Sequence, residues 1–166
     1  MSKLKDPVAP KKSVKEETFT YEEVLVEALK YFNDDELAAT TWMNKYAMRN
    51  KAGEYLETTP DQMHWRMARA FGRIEERYRQ NLYLNGTSEL RSAYGRERED
   101  LTGEKIYELF KDFKYVIPQG SVMSALGNSH MIASLSNCVV LPEVYDSYGG
   151  VMYTDQQLTQ LFKRRC

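Results

Sequence analysis

"TTPDQMHWRMARAFGRIEERY", residues 58–78, is the longest periodic stretch of the chain, and everything local in it points to a helix. Thr59 suits the N-cap, Pro60 the first helical position, where its missing N–H costs nothing, and Gln62 the reciprocal capping partner. Met63, Met67, Phe71, Ile74 and Tyr78 then keep to one face, which should be the buried one. Arg66, Arg69, Arg73 and Arg77 form a neighbouring stripe. Such a stripe could grip phosphate, but with Glu75 and Glu76 in attendance the usual behaviour of helical charge favours a solvated face. His64 and Trp65 sit near the helix start, and a histidine without Cys or carboxylate at ligand spacing is a poor metal ligand.

Working outward, the upstream sequence continues in the same helical pattern. Thr20 and Glu23 make a capping box, and Val24, Leu25, Ala28, Leu29 and Phe32 follow at helical spacing. Asp34 or Asp35 can cap the next helix, "ELAATTWMNKYAMRN" (36–50), whose Leu37, Thr41, Met43, Tyr46 and Ala47 make a looser stripe. Residues 1–18 mix Lys, Pro, Ser and Glu with few large apolar groups, and read as a flexible leader. Downstream, 81–100 reads as a loop with a short helical piece, and "GEKIYELFKDF" (103–113) as a further helix behind Thr102.

After Lys114 the pattern changes. "YVIPQGS" (115–121) and "IASLSNCVVLP" (132–142) are short, β-branched and bounded by Pro, Gly, Ser and Asn, which predicts buried strands. "YDSYGG" (145–150) reads as a turn, and "TDQQLTQLFKRRC" (154–166) as a helix with a capping box from Thr154 to Gln157. The expected class is therefore α+β: a leader over 1–18, a helical domain over 19–114, and over 115–166 strand, loop and helix, ending where a parallel unit would need its next strand. The chain reads as cut at that point.

Lys and Arg total 23 and Asp and Glu 24 in 166 residues, so a net charge of -1 supplies no field to gather nucleic acid or an anionic membrane. No stretch approaches the roughly 20 apolar residues of a membrane span, and the start lacks a secretory signal, which makes the cytoplasm the expected compartment. There the two cysteines, Cys138 and Cys166, are expected to stay reduced. On a strand, Ser136, Cys138 and Val140 would share one face and Leu135, Asn137, Val139 and Leu141 the other. Burial as a small hydrophobe is the commonest fate of such a thiol, and no His or Lys lies close in sequence to activate it.

"IPQGSVMSALGN" (117–128), "SLSNCVVLP" (134–142), "DSYGGV" (146–151) and "LFKRRC" (161–166), in that order, resemble the start of the catalytic α/β barrel in the large (α) subunit of ribonucleotide reductase. "ELAATTWMNKYAMRN" and "TTPDQMHWRMARAFG" resemble the helical domain that precedes it. The resemblance implies that Cys138 is one of two redox-active cysteines, delivering reducing equivalents to the ribose 2′ position and becoming half of a disulfide. It places Ser136 and Asn137 beside the substrate, and Gln119, Gly120 and Ser121 in a turn that holds its phosphates through backbone N–H groups. This turn departs from the more familiar Pro-Thr pattern. Asp146, with Ser147 and Tyr148, falls where the family binds the sugar of an allosteric deoxynucleotide, a carboxylate being suited to accept from a sugar hydroxyl. The helix from Thr154 resembles one that packs against a second copy, which implies a homodimer.

The implied activity is that of a ribonucleoside-diphosphate reductase serving deoxyribonucleotide synthesis, with a thioredoxin-like reductant, although the residues leave diphosphate and triphosphate substrates both open. The short leader has no room for the family's ATP-binding cone. The partner of Cys138 and the radical-bearing cysteine lie in the remainder of the α subunit. No cofactor is expected on this segment, and the radical source, adenosylcobalamin or a metal-containing partner subunit, is decided elsewhere. Two rival readings are a helical protein- or nucleotide-binding regulatory module without catalysis, and a redox protein using Cys138 alone.

Overall fold

The computed structural model describes residues 16–84 and 93–166. Most of the expected leader, residues 1–15, and the middle of the expected loop, residues 85–92, lie outside the described residues. Among the described residues seven helices follow one another: α1 (Tyr21–Tyr31), α2 (Glu36–Lys45), α3 (Pro60–Leu84), α4 (Ala93–Glu97), α5 (Gly103–Phe110), α6 (Gly120–Ala125) and α7 (Tyr148–Lys163), with a 3-10 turn at Lys111–Phe113. Their starts follow local chemistry. Thr20 and Glu23 cap α1 reciprocally, the Asp35 carboxylate accepts from the Ala38 N–H at 2.9 Å, and the Thr102 hydroxyl accepts from Lys105. At α3, Gln62 Oε1 reaches one residue further back than expected and takes the Thr58 N–H at 2.7 Å. Asn33 and Asp34 turn the chain between α1 and α2 with φ of 53° and 65°, a conformation that short polar side chains tolerate.

α3 is the spine of the core. Met63, Met67, Ala68 and Ala70 of α3 are buried with Ile106, Tyr107 and Phe110 of α5, Trp42 and Met43 of α2, Val24 and Ala28 of α1, and Met123 and Leu126 at α6. The Trp65 ring stacks on Tyr107 at 4.0 Å and 11°. α3 and α5 come close together at a glycine pair, where a Cβ on Gly72 would stand 3.1 Å from Gly103 Cα. That approach outweighs the roughly 1 kcal/mol that glycine costs inside a helix. Beyond it the expected apolar face of α3 runs out of cover, with Ile74 and Tyr78 45% and 65% exposed. In α2 the buried set is Ala39, Trp42 and Met43, while Leu37 is exposed.

The expected α+β class is corrected by the structure: no strand or sheet occurs among the described residues, whose only β features are isolated bridges of Tyr55 with Phe19 and Arg49. Residues 115–119 are irregular and Gly120–Ala125 is helix, so the first expected strand does not form, nor does the barrel start built on it. Over 132–142 no strand forms among the described residues: the chain bends at Leu135 and Asn137, and Val140 is 95% exposed. Strand preference in β-branched residues expresses packing against neighbouring strands, and among the described residues no strand lies alongside. The last helix also begins earlier than expected. Ser147 caps it by accepting the Gly150 N–H at 3.0 Å, and Thr154, nearly two turns in, donates to the Gly150 carbonyl instead of capping.

Arg66, expected on a solvated stripe, is instead buried. Its Nε lies 2.6 Å from Glu57 Oε1 and its Nη2 3.3 Å from Oε2, with both side chains under a tenth exposed. Nη1 donates to the Leu126 carbonyl at 2.5 Å and Nη2 to the Met123 carbonyl at 2.8 Å, while the second Glu57 oxygen takes the Met48 N–H at 2.9 Å. Of the other stripe members, Arg69 lies over the Trp65 ring and Arg73 and Arg77 are exposed; Glu75 and Glu76 pair with Arg98 and Arg79. Replacing Arg66 with Ala should strand the Glu57 charge and lower stability by about 3–5 kcal/mol in urea unfolding. Exposed Arg73→Ala should change it by less than about 0.5 kcal/mol.

Candidate functional site

α6 and the segment 134–138 are joined by side chains. The Ser121 N–H, in the first turn of α6, donates to Asn137 Oδ1 at 3.2 Å, and the Ser121 hydroxyl donates to the Leu135 carbonyl at 2.9 Å. Two of the expected substrate contacts, Ser121 and Asn137, are thereby brought together. Gln119 is the N-cap residue of α6 without a side-chain cap bond, and Gly120 lies against Tyr46, whose ring a Cβ would meet at 3.5 Å.

The thiol segment folds on itself through its serines. Ser134 Oγ accepts from the Ser136 N–H at 3.0 Å, and the Ser136 hydroxyl donates to the Cys138 carbonyl at 3.2 Å. Cys138 is a free thiol and exposed, so it is not the small buried hydrophobe that base chemistry favours. The far end of α7 returns to the same place. The Ser134 N–H donates to the Arg164 carbonyl at 2.8 Å, and Cys166 Sγ lies 3.2 Å from the Ser136 carbonyl. Sequence reasoning missed this approach, since 30 residues separate the two and no spacing rule links them. Asp146, Ser147 and Tyr148 form a separate group at the head of α7: Ser147 is the cap, and Asp146 and Tyr148 are exposed, Tyr148 at 94%. No hydrogen bond joins them to the thiol segment among the described residues.

His64 is a core residue. It is fully buried, its ring meets Phe113 edge-on at 4.5 Å, and neither ring nitrogen has a hydrogen-bond partner among the described residues. Around it, the Tyr107 hydroxyl donates to Asp61 and the Tyr31 hydroxyl to Asp112 at 3.4 Å. Burial, then the Asp61 hydrogen bond, pushes Tyr107 up to about 12. Burial pushes Tyr31 higher still, with Asp112 adding to it. Both phenols are therefore donors at neutral pH. Among the described residues no group of three or more His, Cys, Asp or Glu side chains is placed to hold a metal ion, and no helix is long and apolar enough to cross a membrane.

The described helices from the end of α1 through α6 form an all-α unit. Residues 32–130 match the family model described as the ribonucleotide reductase all-alpha domain. The chain belongs to that family, as an N-terminal portion of a ribonucleotide reductase large subunit. No curated protein and no solved structure matches it. The matched stretch holds Glu57, Arg66 and the 119–121 turn; Ser136, Asn137, Cys138 and Asp146 lie beyond it.

Burial holds the His64 ring below its ordinary value, against the opposing pull of Asp61 and Asp112. Below an unfolded-state value of 6.5 the unfolded chain takes up a proton that the folded chain refuses. Stability from this group is therefore complete above that pH and falls as the pH is lowered through the window beneath it. Urea midpoints measured from pH 7 to 5 should decline, and His64→Phe should remove the part of that decline that His64 contributes below 6.5.

Proposed function

We propose that this chain serves ribonucleotide reduction by carrying one thiol of the redox pair, Cys138, on a segment that the all-α domain supports. The family match and the exposed, unbridged thiol beside Ser121 and Asn137 support this reading. The reaction it serves exchanges the ribose 2′-hydroxyl for hydrogen. Two thiols, Cys138 and a second from the remainder of the subunit, give two electrons and two protons; the hydroxyl leaves as water and the sulfurs join as a disulfide. A thioredoxin-like dithiol then resets the pair by exchange, becoming oxidised in its place. Gln119, Gly120 and Ser121 are assigned to the substrate phosphates, and Ser136 and Asn137 to polar contact with the nucleotide.

Asp146 is assigned to the sugar of a deoxynucleotide effector, flanked by Ser147 and Tyr148. Its exposure at a helix head leaves both oxygens open to a hydroxyl donor. No residue of α7 is buried, and Tyr148, Met152 and Phe162 are each more than half exposed. A second copy of the subunit is assigned to that apolar surface.

With the remainder of the subunit supplied, Cys138→Ser should keep the fold and a single round of chemistry at most, and lose multiple-turnover deoxynucleotide formation with a dithiol reductant. Sustained turnover by that variant would refute the assignment. Asp146→Ala should weaken effector binding by about 1–3 kcal/mol in calorimetry and blur effector control of substrate choice.

A further inference from the structure

We infer that Arg66 is a positioning residue for the thiol segment, acting on Cys138 through α6; the functional half of this statement rests on the proposed role of Cys138. α6 is only six residues long, too short to be stable alone. Both its ends are held from outside. At the C-terminal end the carbonyls of Met123 and Leu126 take the Arg66 guanidinium at 2.8 and 2.5 Å. A cation there satisfies acceptors that have no partner within the helix and opposes the negative end of its dipole. At the N-terminal end Ser121 grips Asn137 and Leu135, on either side of Ser136 and next to Cys138. One rigid turn of helix thus links a guanidinium locked by Glu57 to the backbone that presents the thiol.

The geometry leaves little play at the Arg66 end. Gly127 follows α6 at φ of 79°, and a Cβ there would stand 2.8 Å from Arg66 Cγ and 3.1 Å from the Arg66 carbonyl. The guanidinium stem and the turn leaving α6 are therefore in contact, and a shift of one moves the other. Lysine could keep a charge near Glu57, but its single ammonium cannot reproduce the fork that reaches the carboxylate and two carbonyls together. The segment has a second support, the Ser134 bond to Arg164 and the Cys166 contact, which is independent of α6 and should survive when the Arg66 link is cut.

Millisecond hydrogen exchange on the chain tests the link. Arg66→Lys should speed exchange about tenfold both in α6 and over 134–138, the scale of a lost charge-assisted hydrogen bond. Ser121→Ala combined with Asn137→Ala, which removes both contacts of α6 with the segment, should speed it over 134–138 while leaving the Met123 and Leu126 end of α6 as it was. Adding Arg66→Lys to that pair should change 134–138 no further, because all three substitutions lie on one path. Faster exchange confined to α6 in Arg66→Lys, or a further increase over 134–138 when it is added to the pair, would overturn the inference. Should Arg66→Lys fail to fold, Gly127→Ala, which displaces the arginine stem, carries the same expectation. In reconstituted enzyme Arg66→Lys should lower kcat about tenfold and be rescued by no change of substrate concentration. Loss of turnover in Cys138→Ser with unaltered exchange in Arg66→Lys would keep the redox assignment and reject the link; the reverse would keep the link and reject the assignment.

Discussion

The ion pair between Arg66 and Glu57 is the constraint on which the packing around α3 depends. Two charges taken out of water cost several kcal/mol each, and the cost is offset only when every donor and acceptor finds a partner. Here the guanidinium meets a carboxylate and two α6 carbonyls, and the carboxylate meets the guanidinium and the Met48 N–H. These partners come from four places: the loop before α3, the stretch after α2, α3 itself and the end of α6. The pair therefore fixes the relative positions of these four segments.

A second polar set closes the other side of the core. His64, unpaired and edge-on to Phe113, is flanked by two phenol–carboxylate contacts, Tyr107 with Asp61 and Tyr31 with Asp112. Asp112 and Phe113 both sit at φ of 54°, and the Phe113 backbone is unusual for a bulky residue. The ring contact with His64 and the Tyr31 bond hold that turn where the chain leaves α5.

The thiol segment is supported without a sheet among the described residues. Hydroxyls of Ser134 and Ser136 replace the main-chain ladder that a strand would have, and Ser121 and Asn137 tie the segment to helix. The exposed Val139, Val140 and Phe162 show that its apolar side chains are not covered by the described residues. This is consistent with a surface that functions against further protein, as the proposed role requires.

Local chemistry written in the sequence determined α1, α2, α3 and α5, whereas α6, inside the same all-α domain, reads as strand. Thr20 with Glu23, Asp35 and Thr102 act within three residues of themselves, and the period of Met63 and Met67 sets the buried face of α3, so reading the chain in order was enough. The resemblance in "TTPDQMHWRMARAFG" and its neighbours led to the right family for the same reason, since order and spacing are one-dimensional properties. What the sequence misled about depends on distant partners. The run from Ile132 to Pro142 reads as strand, yet a strand exists only with a neighbour to pair with. Arg66 reads as one of four equivalent surface arginines, yet Glu57 lies nine residues away and Leu126 sixty, separations that no helical spacing rule connects. Tertiary structure alone decided which arginine is buried, because only folding brings a carboxylate and two orphan carbonyls to the one guanidinium that can satisfy all three.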